Sequence, residues 1–243
     1  MSARPYSMTR IPCLSLGLLA TLALVATVLL VGNVSATSDE YKALIVVSSF
    51  QGTSQNELNK AIAFYDHLME KGYGDDDILF LCTQEMTIKD GDPTAHSVEE
   101  GFEWLIKNSQ EHTEVNIYIS DNSHASEMEL YYQFYDGTVN CFDIVDWVNE
   151  ISYSTLNYIT LGNHSGLFGR QLVGPNRVVM SSMRDFEEAD TDQFNITRGL
   201  LDPLADYNND GKVSMVEAFW SEYITLLPEP QTPVLWFPRS FGG

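Results

Sequence analysis

The stretch Ala43-Leu44-Ile45-Val46-Val47 is an uninterrupted apolar run of aliphatic and β-branched residues. Such a run is typical of a strand that is buried on both faces, as in a parallel sheet lying between two layers of helices. We therefore expect residues 43–47 to form a central strand of the fold.

Helix and strand patterns alternate on the C-terminal side of this run. Apolar residues recur at three- and four-residue spacing from Leu58 to Met69, which predicts an amphipathic helix that ends near Gly72. Strands are predicted at Ile78–Cys82 and Val115–Ile119, with a second helix between them. This βαβαβ order predicts a mostly parallel sheet.

The second half of the chain continues the alternation. The sequence predicts a helix from about Phe142 and strands at Tyr158–Leu161 and Arg177–Met180. The aromatic stretch Glu127–Gly137 fits either a hairpin or an irregular cover of the core. In parallel sheets of this kind, binding sites lie beyond the carboxyl ends of the strands, so the residues that follow each strand are the first candidates.

The N-terminus has the pattern of an export segment. Two arginines precede the apolar run Leu14–Val31, and a small-residue site ends at Ala36. Residues 1–36 are therefore expected to be a signal peptide cleaved after Ala36 or, because the run is long, an N-terminal membrane anchor. Either interpretation makes the protein secreted or bound to the cell surface. One folded domain is expected at 37–227, followed by a Pro-rich tail at 228–243.

The protein is strongly acidic. It has 34 Asp and Glu against 13 Lys and Arg, a formal net charge of −21, and without residues 1–36 the charge is −23. This balance argues against nucleic acid and against an anionic membrane surface as partners, so any membrane contact would come from the N-terminal segment. It favours cations, including calcium.

The cysteines do not form a disulfide framework. Cys13 lies in the export segment, which leaves Cys82 and Cys141, each within an apolar stretch. Buried free thiols are the expected state of this pair, with a single bridge as the alternative.

Residues 206–217 have the pattern of an EF-hand calcium loop. Gly211 occupies the sixth position, where the backbone must turn sharply. Calcium takes six to eight oxygen ligands. The loop supplies them from the side chains of Asp206, Asn208, Asp210, Ser214 and Glu217 and from the backbone carbonyl of Lys212.

The alternative interpretation of this segment is a capping box, in which Ser214 and Glu217 begin the next helix. A capping box does not explain Asp206, Asp210 or Gly211. A single loop in an exported chain favours a structural ion, because extracellular modules bind calcium with a Kd of about 0.1–1 mM. We expect the ion to hold the C-terminal part of the domain on the sheet.

Two predicted strand ends carry a further pattern. Asp121-Asn122-Ser123 follows one strand, and Gly162-Asn163-His164-Ser165-Gly166 follows another. In order and spacing these segments resemble the legumain-like cysteine peptidases (peptidase family C13) and their caspase-like relatives, over roughly Ala43 to Tyr223. The resemblance implies an α/β three-layer sandwich with a mostly parallel central sheet and helices on both faces.

The resemblance also implies where catalytic residues would stand. The family's catalytic His position is occupied by Asn122, and its nucleophilic Cys position by Asn163. Peptide-bond cleavage of this type needs a thiolate and a group that exchanges protons near neutral pH, and an amide does neither. We therefore expect a non-catalytic relative whose old cleft binds a peptide or protein without cutting it.

Other residues near these turns leave an alternative open. His124 and His164, with Asp121, suggest a transition-metal site, and Ser165 beside His164 suggests a serine nucleophile. The alternative function is therefore an active peptidase of the C13 type or another hydrolase. A third hypothesis, a calcium-dependent adhesion module, requires a mostly antiparallel sheet.

Overall fold

The computed structural model describes residues 40–48, 54–121, 123–125, 130–188, 192–227 and 231–237, with the backbone alone at 123–125. The expected signal or anchor segment 1–36 lies outside these residues. Within them, no helix is both long enough and apolar enough to cross a lipid bilayer.

Nine strands build two sheets from the described residues. They are β1 Glu40–Val47, β2 Ile78–Cys82, β3 Thr113–Ser120, β4 Ser123–Ala125, β5 Leu130–Gln133, β6 Thr138–Asn140, β7 Thr155–Leu161, β8 Arg177–Ser181 and β9 Val234–Trp236. The central sheet has the order β2-β1-β3-β7-β8-β9, and β4-β5-β6 form a small separate sheet. All neighbours in the central sheet are parallel except β8 and β9, which pair antiparallel.

Helices cover both faces of the central sheet. They are α1 Gln55–Lys71, α2 Ala95–Asn108, α3 Cys141–Glu150, α4 Ser165–Gln171, α5 Ile196–Leu200 and α6 Met215–Leu226. Helices α1, α5 and α6 pack on one face, and α2, α3 and α4 on the other. The predicted α/β fold with a mostly parallel sheet is confirmed, and it is consistent with a caspase-like three-layer sandwich. The central sheet is not the mostly antiparallel sheet that an adhesion module requires, so that hypothesis is wrong.

The run at 43–47 is central, as its composition predicted. Ala43, Ile45 and Val47 point to the α1 side, whereas Leu44 and Val46 point to the α2 side. All five side chains are fully buried, and a buried Val, Leu or Ile side chain contributes about 1.5–3 kcal/mol to folding. Strand β1 therefore joins the two hydrophobic cores.

The aromatic stretch forms a hairpin, which was one of its two open interpretations. Strands β5 and β6 pair antiparallel, and β5 also pairs with β4. The Tyr132 ring stacks on Phe168 of α4, with 4.0 Å between the ring centroids. The hairpin thus covers one end of the α2 face.

The C-terminal tail adds an edge strand that the sequence did not predict. Residues 234–236 pair with β8, and Trp236 lies over Gly169 of α4, where a Cβ would approach the indole ring to 2.3 Å. The run Val-Leu-Trp is short and lies between Pro233 and Pro238, so its pattern resembles an extended tail.

The strand order changes direction between β1 and β3. From β1 the chain moves to β2 on one side and then to β3 on the other. Such a switch point is where open α/β sheets usually bind ligands, beyond the carboxyl ends of the strands. The candidate sites lie at these carboxyl ends and at the opposite, amino ends of the strands, beside the loop 206–217.

Candidate functional site

The carboxyl ends of β3 and β7, which directly precede the two resemblance-implied catalytic positions in sequence, lie at one edge of the sheet. The strands are adjacent and parallel, with Ser120 level with Leu161. Asn163 follows β7 by two residues and is half-buried in the turn before α4. Asn122 and the side chain of His124 lie outside the described residues.

His164 is held by a surface carboxylate. Its backbone is left-handed, with φ +59°, and its N–H donates to the Glu187 carbonyl at 3.1 Å. The imidazole Nε2 lies 2.9 Å from Glu188 Oε1. The imidazole Nδ1 is buried and has no hydrogen-bond partner among the described atoms. His164 is therefore oriented by Glu188 and not by the neighbouring serine.

Ser165 has a structural role at the start of α4. Its hydroxyl is buried, accepts the Met183 N–H at 3.1 Å and lies 3.4 Å from Ser182 Oγ. Gly166 permits this approach, because a Cβ there would meet the backbone of Arg184 at 2.7 Å. Ser165 thus ties α4 to the segment after β8, and no hydrogen bond links it to His164 in the described part of the turn.

Neither described cysteine is a suitable nucleophile. Cys82 and Cys141 are both free and buried, as the sequence predicted. Burial raises the pKa of the Cys141 thiol to about 12 and also raises that of Cys82. A thiol in such surroundings is protonated near neutral pH and chemically inert.

A buried ionic network that the sequence analysis missed fills part of the same edge. The Asp192 carboxylate accepts the N–H groups of Gly162 at 3.0 Å and Phe194 at 2.9 Å, and the Gln231 side-chain amide at 2.6 Å. Lys60 Nζ lies 4.0 Å from Asp192 Oδ1 and donates to the Asp192 carbonyl. Lys60 and Asp192 are only 5% and 8% exposed.

Glu57 completes the network next to the switch point. It accepts hydrogen bonds from Lys60 at 2.9 Å and from the Ser120 hydroxyl at 3.1 Å. Burial raises the pKa of Glu57, and the nearby Lys60 partly opposes that rise. Burial, reinforced by the Glu57 and Asp192 carboxylates, also raises the pKa of Tyr118. The arrangement fixes α1 against the ends of strands β3 and β7.

The sequence did contain a signal for this network. Lys60 stands three residues after Glu57 and four before Phe64, which places a charged side chain on the apolar face of α1. A charge at a core position of a helix requires a buried partner. One partner, Glu57, lies three residues earlier on the same helix. The other, Asp192, is 132 residues away in sequence, and only the fold brings it to Lys60.

A surface depression lies beside the His164 turn. It measures about 580 Å³ and is lined by Arg184, Asp185, Phe186, Glu187 and Thr232. Phe186 is 78% exposed within it. This segment begins three residues after the end of β8.

In the first half of the loop 206–217, side-chain oxygens accept backbone N–H groups of the loop. Asp206 accepts the N–H groups of Asp210 at 3.1 Å and Gly211 at 3.0 Å, while Asn208 Oδ1 accepts that of Asp210 at 2.8 Å. Gly211 has φ +86°, a conformation that favours glycine. The sharp turn expected at the sixth position is therefore present.

The second half of the loop closes back on the first through Glu217. One carboxylate oxygen accepts the Asn208 N–H at 3.2 Å, and the other accepts the Ser214 N–H at 3.0 Å and hydroxyl at 2.8 Å. These N–H donors, Ser214 first, hold the pKa of Glu217 below its usual value. A capping box is thus present, but it explains only the contact with Ser214 and not the one with Asn208.

The carboxylates of this loop do not form a tight cluster. Among the described residues, no group of three or more His, Cys, Asp or Glu side chains is close enough to hold a metal ion. Asp206, Asp210 and Glu217 instead accept backbone N–H groups of the loop. Half of the expected calcium ligands are amide, hydroxyl or backbone carbonyl oxygens, and this donor set of oxygens alone suits a hard cation.

Comparisons with known proteins support the fold alone. No protein-family model matches the sequence, and no curated protein matches it. The chain is similar in structure to the protein GSU0716 from Geobacter sulfurreducens, with 13% sequence identity and a TM-score of 0.57. The match covers 83% of this chain and 95% of that chain.

Proposed function

We propose that the protein is a calcium-stabilised domain of caspase-like architecture that binds a peptide or protein outside the cell and does not cleave it. The proposal of calcium binding rests on one observation above all, the contact of Glu217 with both Ser214 and Asn208, which closes the loop. Export is proposed from the segment 1–36 and the acidic charge.

Calcium would be held by oxygens of Asp206, Asn208, Asp210, Lys212, Ser214 and Glu217. The bound ion would supply two positive charges that offset most of the negative charge of three neighbouring carboxylates. Glu217 lies in the first turn of α6, and Glu222 farther along α6 pairs with Arg198 of α5, with 2.7 Å from Arg198 Nε to Glu222 Oε2. A rigid loop would therefore stabilise α6, and through it α5, on the sheet.

The absence of peptidase chemistry is proposed from the residues at the carboxyl edge. Amides stand at the two catalytic positions implied by the resemblance, and burial raises the pKa of both described thiols. The Ser165 hydroxyl accepts a hydrogen bond from the Met183 N–H. The depression that contains Phe186 is the proposed peptide-binding surface, because it adjoins the turn of Asn163 and offers an exposed aromatic side chain.

Calcium titration tests the first part of the proposal. Isothermal titration calorimetry of the domain is expected to give one site with a Kd of about 0.1–1 mM. Asp206→Ala and Glu217→Ala should abolish this heat, while Glu188→Ala, which removes an exposed carboxylate outside the loop, should retain it. A wild-type protein that binds no calcium would refute the proposed ion site.

Peptide assays test the second part. The purified protein is expected to leave a fluorogenic peptide library intact and to capture members of an immobilised library, with capture lost in Phe186→Ala. Phe142→Ala is the matched control, because Phe142 is also exposed but lies on α3. Thiol-dependent cleavage that disappears in Cys82→Ala would establish the alternative function of an active hydrolase.

A further inference from the structure

A cavity lies at the amino end of the sheet, opposite the edge at which the resemblance places catalysis. It measures about 530 Å³, within the range of about 300–1,000 Å³ typical of small-molecule sites. Its floor is formed by the first residues of β3 and β7, and its far wall by the loop before α6. Apolar side chains line most of it, among them Val178, Leu200, Val213, Met215 and Phe237.

A chain of hydrogen bonds fixes the polar groups on the cavity floor. The Glu114 carboxylate can only accept, so Asn116 must present its NH₂ group to it, at 3.2 Å. The Asn116 amide also donates to the Tyr73 hydroxyl. The carbonyl oxygen of Asn116 consequently faces Asn157 and accepts the Asn157 NH₂ group at 3.1 Å.

This order leaves one acceptor directed at the cavity. Asn157 lines the cavity and is only 4% exposed, and its Oδ1 accepts no hydrogen bond from the described residues. Thr155, two residues earlier on the same face of β7, lines the cavity as well. Asn157 Oδ1 is not among the fully buried polar atoms that lack a partner, so it has access to solvent. A bound molecule that displaces this solvent would have to supply an O–H or N–H group in its place, because a desolvated amide oxygen without a donor is costly.

The charged groups that line the cavity already have partners within the protein. Lys71 Nζ and Glu114 form an ion pair at 2.8 Å on one wall. Glu217 on the opposite wall accepts hydrogen bonds from Ser214 and Asn208. The cavity therefore suits an uncharged molecule.

We infer that this cavity binds an uncharged, mainly apolar small molecule that donates a hydrogen bond to Asn157 Oδ1. The apolar walls formed by Val178, Leu200 and Val213 contact the body of the ligand. Asn157 selects for a hydroxyl or amide N–H at the floor. This inference does not depend on the proposed calcium site, although the loop forms one wall.

Two probes that differ by one hydrogen-bond donor test the inference. In calcium-containing buffer, 2-naphthol is expected to shift the methyl NMR signals of Val178, Leu200 and Val213 in a saturable titration. The probe 2-methoxynaphthalene has the same aromatic body without the O–H, so it should bind about two- to tenfold more weakly. Asn157→Leu should remove this difference between the probes.

Two further variants keep the test decisive if Asn157→Leu does not fold. Thr155→Phe places an aromatic ring in the cavity and should weaken binding of both probes at least tenfold. Thr138→Phe makes the same change at the exposed first residue of β6 and should bind both probes like the wild type. The inference is overturned if the wild-type methyl signals do not move, if Thr155→Phe binds as the wild type does, or if the two probes bind equally.

Discussion

The two ends of the central sheet use their buried polar groups in different ways. At the carboxyl ends, Lys60 and Gln231 each donate a hydrogen bond to Asp192. These contacts hold α1 and the carboxyl ends of the strands in place. At the amino ends, Asn157 keeps an acceptor directed at a cavity of about 530 Å³. Ligands of parallel sheets usually bind at the carboxyl ends. The comparison teaches that the hydrogen bonds of each group, and not its position on the sheet alone, indicate whether it serves structure or binding.

The largest expected difference between the two ends is in stability. Asp192→Ala removes one of the two acidic neighbours of Lys60 and leaves the donors of Gly162, Phe194 and Gln231 without their acceptor, so it should lower the free energy of unfolding by about 3–5 kcal/mol. Lys71→Ala breaks the ion pair with Glu114, in which the Lys71 side chain is 41% exposed. It should lower the free energy of unfolding by less than about 1 kcal/mol. Urea unfolding of both variants measures the difference. If the two variants lose equal free energy of unfolding, the network at the carboxyl ends does not stabilise the fold through buried ionic contacts.

Calcium should stabilise the protein only through the loop 206–217, which lies at the amino ends of the strands. At a free calcium concentration about ten times the Kd, the free energy of unfolding should rise by about 1.4 kcal/mol. Asp192→Ala should gain as much as the wild type, because the described hydrogen bonds of Asp192 share no partner with the loop. Asp206→Ala should gain nothing. Melting curves with calcium and with a chelator test this prediction, and a gain that survives Asp206→Ala would place the ion elsewhere.

The pH dependence of stability should have opposite signs at the two ends. The pKa of Glu217 is lowered from 4.5, so its stabilising effect is complete above pH 4.5 and is lost as the pH falls through the folded-state pKa. The pKa of Glu57 is raised from 4.5, so the folded state binds the proton more tightly and stability falls as the pH rises from 4.5 through the folded-state pKa.

Glutamine variants isolate these two contributions. In calcium-free buffer, the free energy of unfolding of the wild type relative to Glu217→Gln should fall on acidification below pH 4.5. The free energy of unfolding of the wild type relative to Glu57→Gln should fall as the pH increases above 4.5. Urea unfolding at a series of pH values gives both differences. Slopes of the same sign would mean that the two carboxylates do not have opposite environments.

The smallest expected effect concerns the thiols. Cys82 ends β2 at the carboxyl edge, is fully buried and has a raised pKa. Iodoacetamide at pH 7.5 should therefore label neither Cys82 nor Cys141 in the native protein, and both should react after unfolding in urea. Mass spectrometry measures the labelling. Rapid modification of native Cys82 would contradict the assignment of this edge as chemically inert.

Much of the central sheet could be predicted from the sequence, because its strands are apolar runs of distinctive length. The strand Ile78–Cys82 was predicted with its exact bounds, and β1, β3, β7 and β8 extend beyond the predicted ranges by at most three residues at either end. Strand β9 could not be predicted, since its three residues pair only because β8 presents an open edge.

The cavity and the network depend on contacts that are distant in sequence. Asn116 lies within a predicted strand and Asn157 directly before another, but their pairing follows only from the register that places one level with the other. Lys60 and Asp192 likewise meet only after the sheet has formed. The sharp turn at Gly211 and the capping box of the loop 206–217 were predictable because the residues involved lie within twelve positions of one another. Calcium binding by this loop stays a prediction.

The outer edge of β2 is covered by the segment that follows it in the chain. Phe80 donates its N–H to Asp90 Oδ2 at 2.7 Å and accepts the Asp90 N–H at 2.9 Å, while the Cys82 N–H reaches the Gly91 carbonyl at 3.1 Å. These contacts occupy backbone groups with which a strand from another molecule could pair. At the opposite edge, β9 is only three residues long, and prolines flank it. Both edges of the sheet thus resist intermolecular strand addition, and the net charge of −21 adds mutual repulsion, so the folded domain should stay dispersed under conditions in which open-edged sheets aggregate.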